Sequence, residues 1–141
     1  LLKKVKIVVL RLKVRVCCRG CCIEAIAIAS SGFVGRDPEI TLPRGLAEKL
    51  LGRNFPTVIV EKVLTDGSIV SLERTSEHLK LYLLTGDRVV GPVSVYAYII
   101  RGRFVLLNDV TLSALRIVII DPRDGIWCFR DELGRRERRG V

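Results

Sequence analysis

The sequence predicts an all-β protein, a barrel or sandwich with two short helices, in one domain. Three observations carry that expectation. Apolar and basic residues alternate with period two in Leu10-Arg11-Leu12-Lys13-Val14-Arg15-Val16, the pattern of a half-buried strand. The other apolar runs are short and are separated by turn signals such as Thr65-Asp66-Gly67 and Gly91-Pro92. A chain of 141 residues with 49% apolar content builds one packed core and is too short for two.

The elements follow in order. Strand 10–16 turns at Arg19-Gly20 and returns as Ile23–Ala29, a hairpin whose second strand is apolar on both faces after Glu24. Such a strand belongs in the middle of a sheet. Phe33 to Glu39 is loop, Ile40–Leu42 a short strand, and Pro43 opens a helix over Arg44–Leu51 closed by Gly52. Val58–Leu64 and Ser68–Leu72 flank a hairpin turn at Thr65-Asp66-Gly67. Leu79–Leu84, Val93–Ile100 and Phe104–Leu107 read as strands, and Asp109 caps a brief helix over Thr111–Leu115. Ile117–Ile120 and Ile126–Phe129 form a last hairpin, and residues 130–141 are a basic tail beyond the domain at 1–129. Strand, turn, strand and short helix recur loosely near 23–51 and 104–120.

The net charge of +9 sits at the two ends. Residues 1–20 hold seven Lys or Arg and no acid, and residues 130–141 hold five Arg against Asp131, Glu132 and Glu137. Arg11, Lys13 and Arg15 on one strand face form a candidate anion-binding surface; a solvated strand face and a frayed tail explain the same charges. Arg outnumbers Lys, and Gln and Met are absent, a composition that fits a thermophile's protein. No uncharged apolar stretch reaches the roughly 18 residues of a membrane helix, and Leu1-Leu2-Lys3-Lys4 does not open a signal peptide. The expectation is a cytoplasmic protein with no membrane partner.

The run Ile23–Ala29 drives into Ser30-Ser31-Gly32, and a strand that ends in hydroxyls and a Gly presents side-chain oxygens at the edge of a core. That strand and turn, followed by Leu42-Pro43 and a helix with Leu46-Ala47, resemble the opening of retropepsin-type aspartic proteases. The archaeal and bacterial single-domain relatives of the retroviral enzymes are the nearest in character. Leu106-Leu107-Asn108-Asp109, Leu112, Leu115, Ile117-Val118-Ile119, Asp121 and Gly125 are similar to the family's closing pattern LLG-x-D-x-L…L-x-I-D…G. The resemblance spans Val14 to Phe129. It implies a closed six-stranded acid-protease barrel, a homodimer, and a groove that holds an extended peptide by strand addition.

Two positions depart from the family. Ser30 stands where the family has its catalytic Asp, and Asn108 stands where it has Gly. In the family two such Asp residues, one per protomer, share a proton and activate a water. A serine hydroxyl stays protonated near neutral pH and cannot accept the water's proton. General acid–base catalysis typically contributes about 10²–10⁴-fold, so the resemblance implies a pseudoenzyme whose degenerate turn is Ser30, Ser31 and Gly32. An active peptidase would need relocated carboxylates. Asp37 and Asp109 are the candidates, and turn and cap roles account for both.

Cys17-Cys18-Arg19-Gly20-Cys21-Cys22 suggests zinc, but strand alternation sends Cys17 and Cys18 to opposite faces and strains a four-thiolate site. With Arg19-Gly20 as the loop, Cys17 and Cys22 form the non-hydrogen-bonded pair, close enough for a disulfide; packing as free thiols is the alternative. Cys128 and Trp127 read as core, with a binding or dimer contact open to Trp127. His78 is the only histidine, so a multi-His metal site within one chain is excluded. Neither a P-loop nor a dinucleotide fingerprint occurs, and no cofactor is expected. The segment Ile40–Leu50 with Val58–Val63, Asp66-Gly67 and Ile69 also resembles AbrB/MazE-type swapped-hairpin transcription factors. That resemblance covers about 35 residues and implies a nucleic-acid partner.

Overall fold

Period-two alternation becomes strand β1 (Arg11–Cys18): Leu12, Val14 and Val16 face the core at 2% exposure or less, while Arg11 and Lys13 face out. The structure, a computed structural model, describes residues 1–4, 9–29 and 32–141. Arg19 and Gly20, both at positive φ, turn the chain into β2 (Cys21–Ala29). The register pairs Cys18 with Cys21 and Cys17 with Cys22. Then come β3 (Glu39–Pro43), α1 (Arg44–Leu51), the hairpin β4 (Thr57–Val63) and β5 (Ile69–Thr75), and the pair β6 (Leu79–Leu84) and β7 (Val89–Ile100). The chain ends with β8 (Val105–Leu107), α2 (Asp109–Ala114), β9 (Ile117–Asp121), β10 (Ile126–Phe129) and β11 (Arg138–Arg139).

Six strands close on themselves in the order β3-β8-β2-β1-β6-β7, with β7 pairing back to β3. The protein is a closed six-stranded barrel in a single small domain, and β5 and β4 extend from β7 as a projecting hairpin. The inner face collects Leu12, Val14, Val16, Ile40, Leu42, Leu81, Val95 and Leu107, and Ala47 and Leu50 dock α1 on this core.

Closure depends on two parallel pairs in a largely antiparallel sheet. β2 runs parallel to β8, with Ala29 opposite Leu107, and β3 runs parallel to β7, with Glu39 opposite Tyr96. The structure contains a repeat, β7-β8-α2 against β2-β3-α1, but not with the bounds read from the sequence: its second copy begins at Val89, ahead of the 104–120 segment. Each repeat lends its second strand to the first strand of the other.

Several boundaries differ from the sequence reading, two of them instructively. β7 begins at Val89 and runs through Gly91-Pro92, which sequence alone places between strands. Gly91 has φ +120°, and a Cβ there would lie 2.6 Å from the Leu81 carbonyl, so the strand crosses a register shift that only glycine accommodates. Helix α2 is capped by Asn108, not Asp109: the Asn108 side chain accepts from Thr111 N–H.

Residues 130–141 are not a tail. A 3-10 turn at Arg130–Glu132 leads to β11, which pairs Arg138 with Trp127, and Val141 N–H donates to the Arg11 carbonyl at 2.9 Å. The physical reason is pairing of the charges. Arg138 is 9% exposed, donates to Glu132 at 2.8 Å and to Asp87 at 2.7 Å, and lies 4.9 Å over the Phe129 ring.

Candidate functional site

Strand β2 ends at Ala29, directly before the Ser30-Ser31-Gly32 segment. Ser30 and Ser31 lie outside the described residues, and Gly32 follows as an exposed turn residue. The loop behind it is fixed by the second repeat. Asp109 N–H donates to the Phe33 carbonyl at 3.0 Å, and an Asp109 carboxylate oxygen accepts from Gly35 N–H at 3.0 Å. Asn108 is fully buried; its Oδ1 accepts from Glu39 N–H (3.1 Å), Thr111 N–H (2.9 Å) and Thr111 Oγ1 (2.7 Å). Its Nδ2 donates to the Asp37 carbonyl at 2.9 Å. The Asn108 side chain therefore fastens the two repeats together.

The β4–β5 hairpin and this loop enclose a cleft of about 370 Å³, lined by Gly32, Phe33, Val34, Lys62, Leu64 and Tyr98 among others. The wall is largely apolar. Behind it sits a group that the sequence reading missed. Glu39, 8% exposed, accepts from Lys62 Nζ at 2.6 Å and from Tyr98 Oη at 2.5 Å. The Lys62 ammonium lies 5.0 Å from the Phe33 ring centre and 4.9 Å from that of Tyr98. Burial, the bond to Glu39 and the Glu39 charge all push the Tyr98 hydroxyl well above its usual range. Gly35 leaves room for the pair, since a Cβ there would stand 2.6 Å from Glu39 Oε1.

Chemically this trio is closed on itself. Both Glu39 oxygens are occupied and its charge is matched by Lys62, so it holds the hairpin to the barrel. Asp37 is exposed, and what it gives Asn108 is its backbone carbonyl, not its carboxylate; Asp109 is used to hold the loop. No local signal announces Glu39. It follows Pro38 in a loop-like stretch, and its partners lie 23 and 59 residues away.

The other sequence candidates are spread over the barrel. Arg11, Lys13 and Arg15 share the outer face of β1, where Glu24 on β2 pairs with Lys13 at 3.3 Å and Arg15 at 3.0 Å. The face is thus partly neutralised, and Arg11 lies over Phe104. Cys17 and Cys22 are joined as a disulfide, with Cα atoms 4.1 Å apart. Cys18 is buried and its thiol donates to Glu77 at 3.6 Å; burial first, then the Glu77 charge, raises its pKa. His78 is exposed and stacks on Tyr96 at 3.8 Å. Among the described residues no group of three or more His, Cys, Asp or Glu could hold a metal ion. No helix in the described residues is long and apolar enough to cross a membrane.

Neither a family model nor a curated protein matches this chain.

Proposed function

We propose that the chain is a non-catalytic, retropepsin-like peptide-binding module that works as a homodimer. The observation that carries this reading is the hairpin-covered apolar cleft beside the loop that follows Ser30-Ser31-Gly32. The crossed parallel pairs support it further, because they bring the end of β2 at Ala29 and the Asn108-Asp109 turn after β8 to one end of the barrel. An extended peptide fits such a cleft through main-chain bonds to a strand edge and apolar side-chain pockets, and β4 offers an edge without a neighbour in the sheet order. Ser30 in the place of the family's acid removes the base that would activate water.

The test uses the Ser30→Asp substitution. Sedimentation at micromolar concentration is expected to give a dimer, and the variant is expected to gain proteolysis of unstructured peptides at acid pH while the wild type has none. A wild-type monomer that binds no apolar extended peptide defeats the reading. So does wild-type proteolysis, which would call for an acid other than residue 30.

A further inference from the structure

Strand alternation gives the barrel a solvent face on β1, β6 and β7. Register sets Tyr82 beside Arg15 on β1, and sets Lys80 between Cys17 of β1 and Ser94 of β7. Leu79, Leu81 and Leu83 point into the core, so Lys80 and Tyr82 point outward. Arg19, His78, Lys80 and Tyr82 together line an open cleft of about 420 Å³. None of its lining residues also lines the hairpin groove, and none lies in the 40–69 segment.

Flat groups on this face are already stacked. His78 lies on Tyr96 with ring centres 3.8 Å apart and planes 28° from parallel. The Arg74 guanidinium lies over the same Tyr96 ring, also at 3.8 Å. Two groups that close to one ring centre occupy opposite faces of it, so Arg74, Tyr96 and His78 form a column. His78 is the exposed end of that column, open to one more flat ring. Tyr82, half-buried, stands four residues further on, about 13 Å away at the rise of a strand, with Lys80 between them.

The charge here is predominantly positive. The carboxylates beside these strands are already bonded, Glu24 to Lys13 and Arg15, and Glu77 to Arg19. Lys80 and Arg74 form no ion pair among the described residues. Cations thus outnumber acids around two aromatic platforms, and the partner that complements both is a polyanion carrying flat rings.

We propose that this face binds an unpaired nucleic-acid strand. Bases stack on His78 and Tyr82, while Lys80, with Arg15 and Arg19 beside it, meets the phosphates. Aromatic platforms in a basic track are how single strands are held without sequence preference. These contacts use base faces and phosphates and need no 2′-hydroxyl. A duplex keeps its base faces covered and has no use for the column.

The full chain is titrated into a fluorescein-labelled oligodeoxythymidylate of about twelve nucleotides, within the span typical of one barrel module. Anisotropy is read at several sodium chloride concentrations. Saturable binding is expected, weakening with salt at a log–log slope of about −2, which corresponds to about three phosphate contacts on a single strand. His78→Ala removes the open end of the column and should raise the dissociation constant about tenfold, the size of one lost base stack. Lys80→Ala should make the salt slope shallower by about 0.7. Both side chains are exposed, so both variants are expected to fold as the wild type does. Equal binding of a duplex of the same length overturns the proposal, because the platforms then play no part. Equal binding of labelled polyglutamate overturns it too, since charge alone would explain the uptake. So does an absence of saturation at low salt, or a pair of variants that titrate as wild type. None of these results bears on the hairpin groove.

Discussion

Asn108 shows how one residue can matter more than its place in a motif implies. Judged by resemblance alone, Asn108→Gly restores the family's residue and should be harmless. Here the side chain is fully buried and bonds to Glu39, Thr111 and the Asp37 carbonyl. Its removal strands the Glu39 and Thr111 donors, uncaps α2 and adds backbone freedom to the unfolded chain. Asn108→Gly is expected to destabilise the protein by about 3 kcal/mol, within the range for loss of a buried network. Urea unfolding measures this, and a change below about 0.5 kcal/mol would show that the two repeats are fastened elsewhere. The cap was half legible in the sequence, because Asn108 and Thr111 have cap spacing, yet Asp109 is an equally good cap by type. Only the three-dimensional position of Glu39 separates them.

At the scale of elements, hairpins and alternation were readable because they are local. β1, β2, the β4–β5 hairpin and the Arg19-Gly20 turn follow from residues within a few positions of one another. The parallel pairs were not readable, since Ala29 and Leu107 are distant in sequence and nothing local marks them as neighbours. The same holds for the attachment of the β4–β5 hairpin. β5 meets β7 in register at Arg74 and Tyr98, and the buried Lys62–Glu39 pair provides a second hold, with side chains 16% and 10% exposed. Lys62→Met leaves the Glu39 carboxylate buried without its cation, a change that typically costs about 3 kcal/mol. Lys62→Met is therefore expected to lose that much stability and to speed hydrogen exchange at the hairpin tip, where Gly67 N–H bonds to the Leu64 carbonyl. The double variant Glu39→Gln/Lys62→Met should regain more than half of the loss, because the unpaired charge is gone. A single variant as stable as wild type, with unchanged exchange at the tip, would show that β5 alone holds the hairpin.

Across the whole molecule, the basic end is part of the barrel's stability because its charges are paired across elements. Asp87 from the β6–β7 turn, Arg88 at its edge, Glu132 from the 3-10 turn and Arg138 from β11 form one network, joined by Arg136 and Asp131. Charge counting along the sequence could not reveal this, since each end scores as basic while the matching carboxylate of Asp87 lies mid-chain. The pH dependence follows from the direction of the shift. Hydrogen bonding from Arg138, helped by Phe129 N–H, lowers the Glu132 pKa from 4.5 to about 2. The folded state thus binds this proton more weakly than the unfolded chain does. The stability Glu132 contributes is present above about pH 4.5 and is lost as pH falls from there toward 2. Urea unfolding at intervals through that window should show stability falling with acid, and the fall should be shallower in Glu132→Gln, which has no proton to take up. Parallel pH profiles for the two proteins would mean that Glu132 is as open to protons when folded as when unfolded, and that the network does not anchor residues 130–141.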